Sequence, residues 1–214
     1  LLALIVSGGH SQLALFASAT DYTLLGQTRD DAVGEAFDKV AKILGLPYPG
    51  GPSIALASKD GDPHAFKLPI SKLDNPYDFS FSGLKTAVLR ALQAHVGKSH
   101  DFPSFELKSL LKPSDVANMS TSFQYTAIKT LVQATALAVK EYKPTTIVVA
   151  GGVAANQELR RQLSASIDQD VIFPDVKLCT DNAVMIATLG YQLYENRQAI
   201  ADPFTLDIAP SLAM

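Results

Sequence analysis

Residues Thr145 to Ala150 form an unbroken apolar and β-branched run, bounded by Lys143-Pro144 on one side and Gly151-Gly152 on the other. A strand with no polar alternation has no face to give to water, so it predicts a sheet covered by helices on both sides. The motif that follows, Gly151-Gly152-Val153-Ala154-Ala155-Asn156, opens a helix expected to reach about Ile167. Strand, glycine turn and helix N-terminus leave unpaired N–H groups and the positive end of the helix dipole facing one point, an arrangement that suits an anion or nucleotide. Glycines serving only a tight strand–helix junction explain the motif equally well.

A second glycine turn lies near the start. The apolar run Leu1 to Val6 stops at Ser7-Gly8-Gly9-His10, and another run, Leu13 to Phe16, follows. This predicts a β-hairpin whose glycines let backbone approach a ligand. The turn is expected to aim several N–H groups, the Ser7 hydroxyl and the His10 ring at one place, where a phosphate could sit. By itself the motif is weak, because most such turns only reverse the chain. Tyr22 to Leu25 reads as a third strand.

Asp30-Asp31 then opens an amphipathic helix, with Val33, Ala36, Phe37, Val40, Ala41 and Leu44 on one face and Gly45 at its end. Asp31, Glu35 and Asp38 share the opposite face. Spacing favours a solvated face with Glu35–Lys39 and Asp38–Lys42 pairs worth ~0.3–0.5 kcal/mol each; the alternative is a carboxylate directed at a ribose hydroxyl or a metal. Pro47 to Pro52 reads as a rigid turn before a short helix from Ser53 to Ser58, with Gly51 placed for close approach of a ligand.

Phe66 to Ile70 reads as a strand. Residues 78–85 predict an extended stretch running into a helix from Gly83 to His95, with Ser82 as N-cap. Residues 97–112 look like a linker, and a long helix covers about Ser114 to Tyr142. A strand at Val171 to Phe173 precedes Cys179-Thr180-Asp181-Asn182 and a helix from Ala183 to Asn196. Asp181 is expected to cap that helix or, facing a cleft, to ligate a metal.

Composition narrows the function classes. A hydrophobic content of 47% supports a packed core, and 18% charged residues is too few for a disordered chain. No apolar run approaches the ~20 residues that span a bilayer, and no basic segment precedes the first run as it would in a signal peptide. The single Cys179 leaves no internal disulfide and agrees with a reducing compartment. A net charge of −3 argues against a surface that traps nucleic acid over its whole area, while leaving room for a local basic patch. Opening inside a strand reads as part of a longer protein.

Six stretches then cease to be independent. Val6-Ser7-Gly8-Gly9-His10, Gly34-Glu35-Ala36-Phe37-Asp38-Lys39, Tyr48-Pro49-Gly50-Gly51-Pro52, Phe79-Ser80-Phe81-Ser82-Gly83-Leu84-Lys85, Gly151 to Asn156 and Cys179-Thr180-Asp181-Asn182 occur in this order. Together, from Leu2 to about Arg197, they resemble the TsaD family of tRNA adenosine threonylcarbamoyltransferases, once described as glycoproteases.

The resemblance implies an α/β actin-like ATPase fold (ASKHA, ribonuclease H-like) of two lobes. Residues 1–214 would be the second lobe: a hairpin and third strand at 1–27, a helical part at 28–142, and an α/β return to the sheet at 143–200. The first lobe would be absent from this chain. The family moves a threonylcarbamoyl group from threonylcarbamoyl-AMP to the exocyclic amine of an adenosine beside the anticodon, in tRNAs reading codons that begin with adenine. By position, Ile5, Val6, Ser7, Gly8 and Gly9 match its substrate loop, Asp38, Gly51 and Asn156 its single contacts to the adenylate, and Asp181 its metal-binding aspartate. No catalytic side chain is assigned.

The implied cofactor is one divalent metal, iron(II) (Fe2+) with Zn2+ as the alternative. The family's two histidine ligands are not matched here, since His10, His64, His95 and His100 do not form its HxxxH pair, and the fragment is expected to be inactive alone. The implied partners are tRNA, a TsaB-like paralogue and a TsaE-like ATPase, with no membrane. The implied location is the bacterial cytoplasm, or the mitochondrion or plastid in an organellar protein. A non-catalytic scaffold paralogue of the same complex is the competing reading. A metalloprotease is disfavoured because no HExxH or comparable ligand set is present.

Overall fold

The computed structural model describes residues 1–196 together with 202, 204, 205 and 207. Residues 197–200 of the expected third segment lie outside the described residues. Five strands form one mixed sheet: β1 (Leu2–Val6), β2 (Ser11–Phe16), β3 (Tyr22–Gln27), β4 (Ile147–Ala150) and β5 (Val171–Ile172), in the order β3-β2-β1-β4-β5. The first three pair antiparallel, as a hairpin and its continuation must, and β4 lies parallel to both β1 and β5. The parallel pairing of β1 with β4 sets the ends of both glycine-terminated strands side by side, with Ile5 opposite Ala150.

Leu2, Leu4 and Val6 alternate along β1 and are fully buried, and Leu13 opposite Leu4 joins them. They share one core with the apolar residues that periodicity marked out on α1 (Val33–Leu44), namely Val33, Ala36, Phe37, Val40, Ala41 and Leu44. Gly45 ends the helix at φ 74°, a left-handed conformation that costs a residue without Cβ little. Burying a side chain the size of leucine or phenylalanine stabilises by about 1.5–3 kcal/mol. This stripe therefore outweighs any surface pair on the helix.

The helical part comprises α2 (Gly50–Ala57), α3 (Ser82–His95), the single turn α4 (Ser104–Leu107) and the 30-residue α5 (Pro113–Tyr142). Helix α5 buries polar residues along its length, and most of their hydroxyls are paired, the buried Ser120 hydroxyl being without a partner among the described residues. Thr126, Thr130 and Thr135 each donate back to the carbonyl four residues earlier, at 2.8, 3.0 and 2.8 Å. Phe37 of α1 meets Phe123 of α5 edge-on, with ring centroids 5.0 Å apart. After β4 come a one-turn 3-10 helix (Gly152–Ala155), α6 (Gln157–Ser166) and finally α7 (Ala183–Glu195), which buries none of its residues.

Several expectations need correction. Phe66 to Ile70 is not a strand; it crosses the surface and is held by Phe66 N–H donating to the Ser122 hydroxyl at 3.1 Å. The helix expected from Ser53 already begins at Gly50, because Gly50 N–H finds an acceptor in the Asp38 side chain. Ser82 does not cap α3; its hydroxyl donates to Asp30 instead. Asp181 does not cap α7, since the Asn182 side chain accepts from Val184 N–H at 3.1 Å. The linker-like stretch contains α4. Strand β4 alternates between buried and half-buried residues, so one of its faces is less covered than its apolar run implied.

Candidate adenylate site

The site grows from three close backbone approaches, each made where a side chain could not fit. A Cβ on Gly151 (φ 93°) would stand 2.3 Å from the Val6 carbonyl oxygen, so only glycine lets β4 leave the sheet tight against the end of β1. A Cβ on Gly34 would lie 2.6 Å from Ser7 O and 2.8 Å from Gly8 Cα. Gly34 N–H also donates to Ser7 O at 3.2 Å, fixing the first turn of α1 beneath the 7–10 loop. A Cβ on Gly50 would lie 2.6 Å from Asp38 Cα, so α2 starts in contact with α1. Gly34 and Asp38 are four residues apart and share a face of α1. The loop, that face and the start of α2 therefore form one continuous surface.

The loop itself is more self-contained than its sequence suggested. Ser7 N–H donates to His10 O at 2.8 Å, and the Ser7 hydroxyl accepts from Gly9 and His10 N–H at 3.3 and 3.0 Å. The His10 ring stands 3.5 Å from that hydroxyl. Two of the N–H groups expected to cradle a phosphate are thus spent inside the turn. Gly8 N–H has no acceptor among the described residues. Gly8 and Gly9 are exposed with nothing within 4 Å of an added Cβ, so the surface they present is flat and open.

Asp38 is half-buried. Its Oδ1 accepts from Gly50 N–H at 2.6 Å, which places a carboxylate at the N-terminus of α2 where the helix dipole favours it. The expected Asp38–Lys42 pair is not formed. Lys39 instead bridges Asp31 and Glu35, at 2.7 and 2.9 Å, and their hydrogen bonds raise its pKa above the ordinary lysine range. Oδ2 of Asp38 has no partner among the described residues. Gly51 follows Gly50 on the first turn of α2, again with open space around its Cα.

Asn156 is held on both sides. Its Oδ1 caps α6 by accepting from Leu159 N–H at 3.0 Å, and its Nδ2 donates to Gln124 Oε1 of α5, also at 3.0 Å. Arg160 Nε ties down the preceding turn through Ala154 O at 2.9 Å, while its guanidinium stacks 4.6 Å from the Phe173 ring. The turn from Gly151 to Asn156 therefore has little freedom.

A feature missed in the sequence supports the same region. Asp30 accepts four hydrogen bonds: from the Ser80 and Ser82 hydroxyls at 2.6 and 2.7 Å, and from Phe81 and Ser82 N–H at 2.8 and 3.2 Å. Burial pushes its pKa up, but those hydrogen bonds outweigh burial and hold it below the usual carboxylate value. Next to it Arg29 and Gln27 N–H both engage Asp78, at 2.5 and 3.0 Å. The signal was available: serines two apart on an extended stretch share a face, while Phe79 and Phe81 are fully buried.

Asp181 stands apart from these residues. It is exposed, and its carboxylate meets no partner among the described residues. No three His, Cys, Asp or Glu side chains among them gather as a metal site would require. The described residues therefore do not fit a metal ion.

A family model for TsaD, tRNA N6-adenosine threonylcarbamoyltransferase, matches residues 2–188. The chain belongs to the TsaD family. Among relatives named tRNA N6-adenosine threonylcarbamoyltransferase, that of Gloeobacter violaceus is 47% identical over 194 residues, 91% of this chain and 53% of its own length. That of Synechocystis is 45% identical over 222 residues, 100% of this chain and 60% of its own length. This TsaD-family chain thus spans little more than half the length of the curated relatives it matches. Among solved structures, T. kodakarensis HypF superposes with a TM-score of 0.56 at 15% identity, over 83% of this chain and 21% of that one, a likeness of fold alone. The mixed sheet with its covering helices agrees with the actin-like ATPase class expected from the sequence.

Proposed function

We propose that this chain is the adenylate-holding part of a tRNA N6-adenosine threonylcarbamoyltransferase acting in the cytoplasm. The observation that carries this reading is the continuous surface from the 7–10 loop across Gly34 to Asp38 and the start of α2, in a chain of this family. The donor, threonylcarbamoyl-AMP, is a mixed anhydride. The adenosine amine attacks its carbamoyl carbon, the bond from that carbon to the phosphate oxygen breaks, the amine loses a proton, and AMP departs. What this chain supplies is binding and orientation. Gly8 and Gly9 admit the phosphate against bare backbone, with Gly8 N–H as a donor. Asp38 Oδ2, an ionised acceptor, suits a ribose hydroxyl. Asn156 keeps a second Nδ2 hydrogen for the nucleotide. The competent enzyme would add tRNA, a TsaB-like paralogue and a TsaE-like ATPase as partners.

Calorimetric titration of the chain with AMP and with threonylcarbamoyl-AMP tests the reading. Saturable binding of both, weakened by Asp38→Ala and Asn156→Ala, is the expected result. Absence of binding, or affinities unaltered in both variants, would overturn it.

A further inference from the structure

A cavity of about 810 Å3 opens between α5 and α6, lined by Tyr125 and Lys129 of α5, Glu158 and Arg161 of α6, and His64 from the segment after α2. A second cavity of about 330 Å3 shares His64, Tyr125 and Lys129 with it and adds Lys67. The two form one trough. None of the residues assigned to the adenylate lines it. Its connection to that site is Gln124, which lines the trough and accepts the hydrogen bond from Asn156.

The charges here run against those of the whole molecule. In a chain of net charge −3, the trough is lined by Lys67, Lys129 and Arg161 and by one carboxylate. That carboxylate, Glu158, is already engaged: Arg161 donates to it at 2.6 and 2.7 Å and Gln162 at 2.7 Å. Lys67 and Lys129 have no ion pair among the described residues. The Lys129 ammonium stands 5.6 Å from the Tyr125 ring centroid, and the His64 ring meets the same tyrosine edge-on at 5.3 Å. Uncompensated ammonium groups spread along a trough with an aromatic ring at its centre match a phosphodiester backbone and its bases better than a single compact anion.

We propose that this trough is a docking path for an RNA strand, with the backbone passing Lys67 and Lys129 and a base lying against Tyr125. The inference rests on the adenosine-modifying reading above, because it brings RNA to the far side of Gln124 from Asn156. It adds a contact surface outside the adenylate residues.

The test is fluorescence anisotropy of a labelled anticodon stem–loop RNA with the chain, across a salt series. The Lys67→Gln/Lys129→Gln double variant should weaken RNA binding about tenfold and lower the salt slope by about 1–2, as loss of one or two phosphate contacts requires. Lys140→Gln, the same charge change on an exposed part of α5 outside the trough, should do neither. Thermal melts should match wild type for both, and AMP affinity should be unchanged. The proposal is overturned if the wild-type chain does not bind the RNA, if the double variant binds as wild type, or if Lys140→Gln loses as much. Parallel loss of AMP binding would overturn it too, by making the trough part of the adenylate site. Asn156→Ala titrated with AMP addresses the adenylate reading separately and alters no trough residue.

Discussion

Asp30 and Ser82, 52 residues apart, meet through two hydrogen bonds, one from Ser82 N–H to Oδ1 and one from its hydroxyl to Oδ2. The Ser80 hydroxyl and Phe81 N–H complete the clamp, so one carboxylate sets where α3 begins. Asp30→Asn keeps the shape but replaces an acceptor oxygen with a donor. Charged hydrogen bonds are worth about 1.5–3 kcal/mol each; discounted for an exposed residue, the variant should lose about 1–2 kcal/mol in urea denaturation.

The same carboxylate gives a pH dependence of definite sign. Its folded pKa lies below the ordinary 3.8. Its stabilisation is therefore fully present above that value and disappears as pH falls through the lower folded value. The stability gap between wild type and Asp30→Asn should be constant near neutrality and close in acid. A gap that widened on acidification would contradict the clamp.

The motif glycines divide into two classes that substitution should separate. Gly151→Ala forces a left-handed φ on a residue whose Cβ meets a carbonyl, and should cost about 3 kcal/mol or more, enough to impair folding of a domain this size. Gly8→Ala and Gly51→Ala meet open space and should shift a thermal melt very little. If those two turns touch the adenylate, AMP affinity should nonetheless fall severalfold in each. A large loss of stability in Gly51→Ala would show that its role is structural.

Asn156 does two jobs that two variants pull apart. Asn156→Ala removes the α6 cap, worth about 1 kcal/mol, together with the donor to Gln124. Asn156→Asp retains the cap but loses the donor and sets a negative charge there. Both should weaken AMP binding by calorimetry, while only the alanine variant should lower the denaturation midpoint appreciably.

At the start of α7 the cap belongs to Asn182, so Asn182→Ala should cost about 1 kcal/mol. Asp181→Ala should change stability by less than about 0.5 kcal/mol, as for any exposed side chain without partners. The reverse order in chemical denaturation would restore Asp181 as the cap.

What could be read from the residues followed their physics. The apolar stripe of α1, the hairpin and the Thr145–Ala150 strand are local periodicities backed by burial, and they formed where expected. Phe66–Ile70 misled because it is held by helices, through the Phe66 ring against His95 of α3 and its N–H to Ser122 of α5, rather than by a neighbouring strand, which no periodicity encodes. Asp38 was assigned to Lys42 by helical spacing, yet the acceptor went to Gly50 N–H, twelve residues away, where a new helix needed one. The order of six motifs identified the family. It could not reveal that the Ser7 hydroxyl consumes two of the loop's N–H groups, because that depends on the side-chain rotamer and the closing of the turn.

Helix α1 carries Gly34 under the loop and Asp38 against α2, with only three residues between them. An α-helix turns about 100° and rises about 1.5 Å per residue. One residue inserted or deleted between these two positions would swing Asp38 off the shared face while leaving Gly34 in place. The spacing is thus a fixed gauge, and this stretch should reject every length change in a library of insertions. The exposed turn at residues 17–20 between β2 and β3, which bears on neither glycine contact, should accept many.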